Sequence, residues 1–378
     1  MAQYVGSWAK RQSPQQLMHA IMFVAVVALA IGVVTVESAG YPMTSGPRAI
    51  DGFLYFRYQL RWAVVGLLIL IALPGRKEKV LDALGLYGLP LFCAFMLEAV
   101  FIGGPKNGNA AWTAKPLPVM QPSEIAKVLY AIVGAILLGE KRPTSLGEPA
   151  MKRFLAVTAV VGGIIFMQRD MGMLMTFGLL CLLTLLMSGL PTKWWALLAG
   201  GFGLVGCGAM LMRFDRIKAW LDPVGTRDGA GYHILNSLIA ISRGGGRGLG
   251  VGQSPDKWFC LPFPHTDSIF CVLAAETGLW GVGILLVVFG ALAYLTYVAA
   301  SQARNRKECM LATTCGFLVC MQAGINMAVA TNLLPPTGLT LPFISYGGSS
   351  LIGSALAVAV VLWVAARGRG QNIPMEIA

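Results

Sequence analysis

Ten mostly apolar stretches run through this chain, most of them near the roughly 20 residues that a helix needs to cross a bilayer. They fall at about 17–36, 55–74, 80–102, 123–139, 154–167, 171–188, 194–212, 268–299, 310–331 and 347–366. The fifth and sixth are short and nearly continuous, and the eighth is long. The first exceeds a typical signal core and no convincing cleavage site follows it, so it reads as a span. Only 12% of the residues are charged and 56% are hydrophobic. Soluble domains carry about 25% charged residues, so too few charges remain to coat a water-facing globule. The expected fold is an all-α polytopic membrane protein, a single domain over 1–378, with a large extracytoplasmic loop at about 213–267.

Short-loop cations set the orientation. Lys10 and Arg11 precede the first span; Arg76, Lys77 and Lys79 follow the second; Lys141, Arg142, Lys152 and Arg153 follow the fourth. Lys193 follows the sixth, Arg304, Arg306 and Lys307 the eighth, and Arg367 and Arg369 the tenth. With ten spans, all lie on one side, and the positive-inside rule makes that side the cytoplasm, with both termini there.

The net charge of +12 has a second source. The 213–267 loop holds Arg213, Arg216, Lys218, Arg227, Arg243, Arg247 and Lys257. Long loops are largely exempt from the charge rule. These cations suit either anionic lipid heads or an anionic, phosphate-bearing substrate. The eight cysteines show neither CxxC nor Cys/His ligand spacing, which favours packing over a disulfide framework.

Polar residues carry most information where a membrane makes them costly. KNGNAAW (106–112) and QPSEIAK (121–127) precede or open the fourth span. Glu124 and Lys127, three apart, share a helix face, as an interfacial ion pair or as a charged wall of a substrate cavity. In QRDMG (168–172), Asp170 is part of a plain turn, or orients an arginine or binds a divalent cation. GYHILNSLIAI (231–241) has the pattern of an interfacial amphipathic helix. GGGRGLGVG (244–252) is a close-packed loop or a phosphate wrap; it lacks GxxxxGK[ST], which argues against nucleotide binding. LPFPHTDSIF (261–270) brings His265 and Asp267 to the mouth of the eighth span, with Glu276 one or two turns on. There Asp267 is an N-cap or a catalytic carboxylate. TNLLPPTGLTLPFISYGGSS (331–350) is too rich in helix breakers to span and reads as re-entrant or interfacial.

Together these motifs resemble the SEDS family, the FtsW/RodA/SpoVE type of peptidoglycan glycosyltransferase. KNGNAAW with QPSEIAK is similar to its NGxxxW and QPSE-xx-K signature, QRDMG to its QPDLG turn, and HTDSIF with AAETGLWG to its HTDFIF–EELGxxG segment. LLPPTGLTLPFISYGGSS is similar to its LLPVTGLPLPFISYGGSS. The order is the family's, from about residue 50 to 366. GQSPDKW…HTDSIF is closer to the division (FtsW) branch. Phe263 and Ala275 stand where the family often has carboxylates.

The resemblance implies a polymerase of lipid II in the bacterial cytoplasmic membrane. Its partners would be a class B penicillin-binding protein and other divisome or elongasome proteins, with no nucleic acid. It implies Asp267 as the catalytic base. Glu124, Lys127, Arg213, Arg216, Arg243, His265, Asp170, Glu276 and Ser345 become substrate-site candidates. A divalent cation, Mg or Mn, is the expected cofactor; neither nucleotide nor haem is expected. Broken helices and intramembrane charges also describe a flippase for lipid-linked precursors. Against that reading, the polar groups concentrate at the outer edge rather than at the midplane.

Overall fold

The computed structural model describes residues 13–44, 53–103, 110–114, 120–211, 214–229 and 231–368, and these contain helices and no strand. The helices are α1 (Pro14–Thr44), α2 (Leu54–Ala72), α3 (Glu78–Glu98, extended by a π turn Ala99–Gly103), α4 (Pro122–Leu138), α5 (Pro149–Met167) and α6 (Met171–Met187). Then follow α7 (Trp195–Leu211), α8 (Phe214–Leu221), α9 (Gly231–Gly244), α10 (Asp256–Phe259), α11 (Ile269–Ser301), α12 (Arg306–Ala330) and α13 (Gly348–Arg367). A helix occupies each of the ten apolar stretches. Seven of them are long and apolar enough to cross a membrane among the described residues. The other three, α4, α6 and α7, have 17 residues each.

The centre of the bundle is α4, which is buried on nearly every side, its Glu124 and Lys127 included. Pro122 fits its first turn, where no backbone donor is needed. It packs against α3, α5, α12 and α13. Small residues allow the close approach. A Cβ on Gly353 of α13 would sit 2.9 Å from the Glu124 carbonyl, and one on Gly85 of α3 would sit 2.7 Å from Ile132.

Contacts sort the helix ends into two groups. At one end Lys307 bridges Glu78 (2.8 Å) and Asp82 (2.7 Å), and Arg367 pairs with Glu308 (3.2 Å). There the Arg306 guanidinium also donates to the Ser188 carbonyl at the end of α6, and Trp363 Nε1 to the Arg76 carbonyl. These are loop cations that the charge rule assigns to one side. The opposite ends of α4, α6, α11, α12 and α13 meet around residues 265–268 and 331–347, so all five helices run between the same two faces.

The 213–267 segment carries three helices, α8, α9 and α10, among the described residues. In α9 the buried residues Gly231, Ile234, Ser237, Ala240 and Gly244 form one narrow face against α11. Of the apolar positions expected to lie on the membrane interface, Ile234 is buried in protein and Ile239 is exposed. The glycine-rich stretch after it clasps α11 instead of forming an open anion cradle. Helix α11 breaks at Gly278 (φ 63°, ψ −157°). The stranded backbone is satisfied by the loop: Leu249 N–H donates to Ala275 O (3.0 Å), Gly250 N–H to Glu276 O (2.9 Å), and Leu279 N–H to Gly245 O (3.1 Å). A Cβ at Gly278 would collide with the backbone of Gly248, so close packing is what these glycines serve.

Candidate active site at the 265–268 turn

The structure gathers three sequence-distant charges. Asp267 lies just before α11, Asp170 caps α6, and Arg216 lies on α8. Asp170 Oδ1 accepts from Met173 N (3.0 Å) and its Oδ2 from Gln121 Nε2 (2.9 Å). Burial raises the Asp170 carboxyl above its ordinary value. Glu124 adds to the rise, while the Met173 bond, Lys127 and Arg216 oppose it. Asp267 is partly exposed. Burial, with Asp170 second, pushes its carboxyl up to about 6, and Arg216 draws it back. The two carboxylates therefore sense each other and share one arginine.

Asp267 is not the helix cap. Ser268 holds that position and makes no side-chain cap bond. Its hydroxyl donates to Pro262 O (3.0 Å) and lies 3.1 Å from His233 Nε2. The Asp267 side chain instead faces the broken segment: a Cβ on Gly338 would sit 3.5 Å from Asp267 Oδ2.

That segment is held on every side. Arg216 Nη1 donates to Pro336 O (3.1 Å), and Trp220 Nε1 to Asn332 O (3.1 Å). Asn326 Nδ2 donates to Leu339 O (2.6 Å). Four non-glycine residues have positive φ among the described residues: Arg169, Phe263, Asn332 and Phe343. All four lie in the turns around this site. Backbone strain of about 1–3 kcal/mol per residue persists only where the surroundings over-determine it.

The other candidates divide. Glu124 and Lys127 form a buried pair (3.1 Å, 5% and 1% exposed) directed into the bundle. Lys127 also donates to Gln322 Oε1 (2.9 Å), and Gln322 Nε2 to Thr340 Oγ1 (3.2 Å). The pair is thus enclosed in the bundle, and Lys127 does not snorkel outward. Ser345 is a stitch: its hydroxyl donates to Thr266 O (2.8 Å) and accepts from Leu341 N (2.7 Å). His265 packs between Tyr55 (ring centroids 4.4 Å apart) and Tyr346 (5.5 Å), and burial lowers it to about 4, so it is neutral at pH 7.

Two candidates sit elsewhere. Glu276 is buried against Lys257 (2.7 Å) and Ser38 (2.7 Å), which locks α1 and the loop onto α11. Arg243 is half exposed and pairs with Asp256 at 2.6 Å. Arg213 and residues 106–109 of the KNGNAAW motif lie outside the described residues.

His233, Gln322 and Asn326 belong to the site's support and were not among the residues picked from sequence. The signal for the last two was present: amides at i and i+4 within an apolar span are expensive and mark interior polar contacts.

An apolar cavity of about 810 Å³ adjoins the cluster. Its walls include Gly162 and Phe166 of α5, Leu174 of α6, Phe202 and Gly206 of α7, and Arg216 with Pro336 and Thr337 at one end. No three His, Cys, Asp or Glu side chains converge to hold a divalent cation among the described residues, and both oxygens of Asp170 are already engaged.

The family model described as Cell cycle protein, FTSW_RODA_SPOVE, matches residues 18–370. A probable peptidoglycan glycosyltransferase FtsW of Geobacter sp. (strain M18) is 34% identical over 365 residues, covering 93% of this chain and 97% of its own. One of the same description from Alcanivorax borkumensis is 32% identical over 360 residues, covering 90% and 91%. The rod shape determining protein RodA of Thermus thermophilus shares the fold with a TM-score of 0.66 at 24% identity, covering 91% and 95%. So does a chain of a peptidoglycan synthase complex solved for its coordination of polymerization and crosslinking, with a TM-score of 0.71 at 24% identity, covering 91% and 96%. Match length and identity together place the chain in the FtsW/RodA/SpoVE family of cell cycle proteins.

Proposed function

We propose that this chain is a peptidoglycan glycosyltransferase that polymerises lipid II at the outer face of the bacterial cytoplasmic membrane. The observation that carries the reading is the position of Asp267. It is a carboxylate with a raised affinity for protons, beside an arginine, separated by residues 337–338 from an apolar cavity among the spans.

The chemistry follows from that placement. Asp267 takes the proton of the acceptor sugar's 4-hydroxyl as that oxygen bonds to the donor's anomeric carbon. The anomeric carbon–oxygen bond to phosphate breaks, and the lipid diphosphate leaves with its electron pair. General-base assistance of this kind contributes about 10²–10⁴-fold. Arg216 meets the charge that develops on the diphosphate. Asp170, fixed by Gln121 and Met173, raises the basicity of Asp267, and the buried Glu124–Lys127 pair sets the field at Asp170. The polyprenyl tail lies in the apolar cavity, so the substrate stays in the bilayer.

Ten spans with both termini cytoplasmic fit the clustering of the loop cations at one end. The polar site at the opposite end favours outward-facing chemistry over a midplane transport path. A class B penicillin-binding protein is the proposed partner, in line with the synthase complex that shares the fold. The test is reconstitution into vesicles with lipid II, with and without that transpeptidase. Glycan strands are the expected product; lipid II moved between leaflets without polymer would establish the flippase instead.

A further inference from the structure

We infer that Thr337 is a direct ligand of the substrate's diphosphate, its hydroxyl donating to a phosphate oxygen beside Arg216. This rests on the glycosyltransferase reading above. Three polar side chains line the apolar cavity among the described residues: Thr158, Arg216 and Thr337. The Thr158 hydroxyl is satisfied within the protein, donating to Phe154 O (2.9 Å) and lying 2.7 Å from the Tyr130 hydroxyl. Thr337 is 8% exposed and its Oγ1 is buried with no hydrogen-bond partner among the described residues. A buried hydroxyl left unpaired is costly to a fold, and no group among the described residues relieves it.

Its neighbours supply the chemistry of the missing partner. The residue before it, Pro336, accepts a hydrogen bond from Arg216. The residue after it, Gly338, lies against the Asp267 carboxylate. Thr337 is thus fixed between a cation and the base, at the polar end of a long apolar cavity. Gly172 of α6 packs on it so closely that a Cβ there would lie 2.7 Å from the Thr337 carbonyl and 3.1 Å from its Cβ, which immobilises the backbone. A ligand with an apolar tail and an acceptor-rich anionic head satisfies both ends, which describes a polyprenyl diphosphate.

The test uses Thr337→Val, which keeps shape and removes the donor, and Thr337→Ser, which keeps the donor. Each full-length variant is reconstituted with its transpeptidase partner and compared with wild type for KM and kcat on lipid II. Binding of undecaprenyl diphosphate and of undecaprenol is measured separately, together with the melting temperature. A hydrogen bond to a charged group corresponds to roughly 10- to 100-fold in affinity. Thr337→Val is expected to weaken lipid II and undecaprenyl diphosphate by at least about tenfold, to leave undecaprenol unchanged, and to melt no lower than wild type. Thr337→Ser is expected to resemble wild type. Unchanged diphosphate binding in Thr337→Val, with wild type polymerising normally, overturns the inference alone. A lowered melting temperature with equal losses for both lipids makes the residue structural and also overturns it. Failure of wild type to polymerise removes the reading beneath it.

Discussion

Replacing Asp267 by Asn should stabilise the protein, with a pH dependence that the site dictates. The Asp267 carboxyl is pushed up to about 6 from an ordinary 3.8. The folded state therefore holds its proton more tightly than the unfolded state does. Below about pH 4 both states are protonated and the residue contributes nothing. As pH rises from about 4 to about 6, the unfolded chain ionises first and folding loses stability; above about 6 the penalty is constant. Two pH units at 1.36 kcal/mol each set a ceiling of about 3 kcal/mol. Partial exposure of the side chain lowers this to on the order of 1–2 kcal/mol. Asn keeps the shape and cannot ionise, so Asp267→Asn should melt a few degrees above wild type at pH 7.5. The difference should shrink to nothing near pH 4. The assay is thermal unfolding of purified protein in one detergent across pH 4–8. A variant less stable than wild type at pH 7.5, or a difference independent of pH, would show that the carboxylate is not held in a strained ionised state.

Three further outcomes follow from the same contacts. Lys257→Ala leaves the Glu276 carboxylate buried with only Ser38, so it should lower stability by about 3–5 kcal/mol, read as a fall in melting temperature and detergent-resistant yield. Arg216→Ala should raise the KM for lipid II about ten- to hundredfold, the loss of a charge-assisted contact, and Arg216→Lys should rescue it poorly; wild-type kinetics in both would remove Arg216 from the site. Asp228→Cys, in a background lacking reactive native cysteines, should be labelled by an impermeant thiol reagent from outside the cell; labelling from the cytoplasmic side alone would overturn the ten-span topology.

How much of this was legible in the sequence depended on the range of the interactions. Positions of the spans follow from apolar runs, and the helices fall within a few residues of them except at the end of α1, which runs on to Thr44, because bilayer thickness fixes length locally. The 331–350 segment was legible as non-spanning because Pro335, Pro336, Gly338 and Pro342 forbid a continuous helix. The convergence of Asp170, Arg216 and Asp267 was not, since helix packing brings together residues 46 or more positions apart. Glu276 looked like a site carboxylate from its place one or two turns beyond Asp267. The break at Gly278 and the loop carrying Lys257 give it a partner that sequence spacing does not encode. The glycine-rich stretch had two readings because glycine serves anion wraps and close packing equally, and only the bonds to Ala275 and Glu276 decide between them. Thr337 carries no motif chemistry of its own; its interest lies in a missing partner, which only three-dimensional packing reveals.

The central claim, that Asp267 is the base of glycan polymerisation, meets its most direct test in the rate of strand formation from purified lipid II. Wild type and Asp267→Asn would be compared at pH 7.5, each reconstituted with the proposed transpeptidase, at matched protein level and at a temperature well below either melting point. A fall of about 10²–10⁴-fold is expected in the variant, although it folds, inserts and binds the proposed transpeptidase. Polymerisation by Asp267→Asn at the wild-type rate would contradict it.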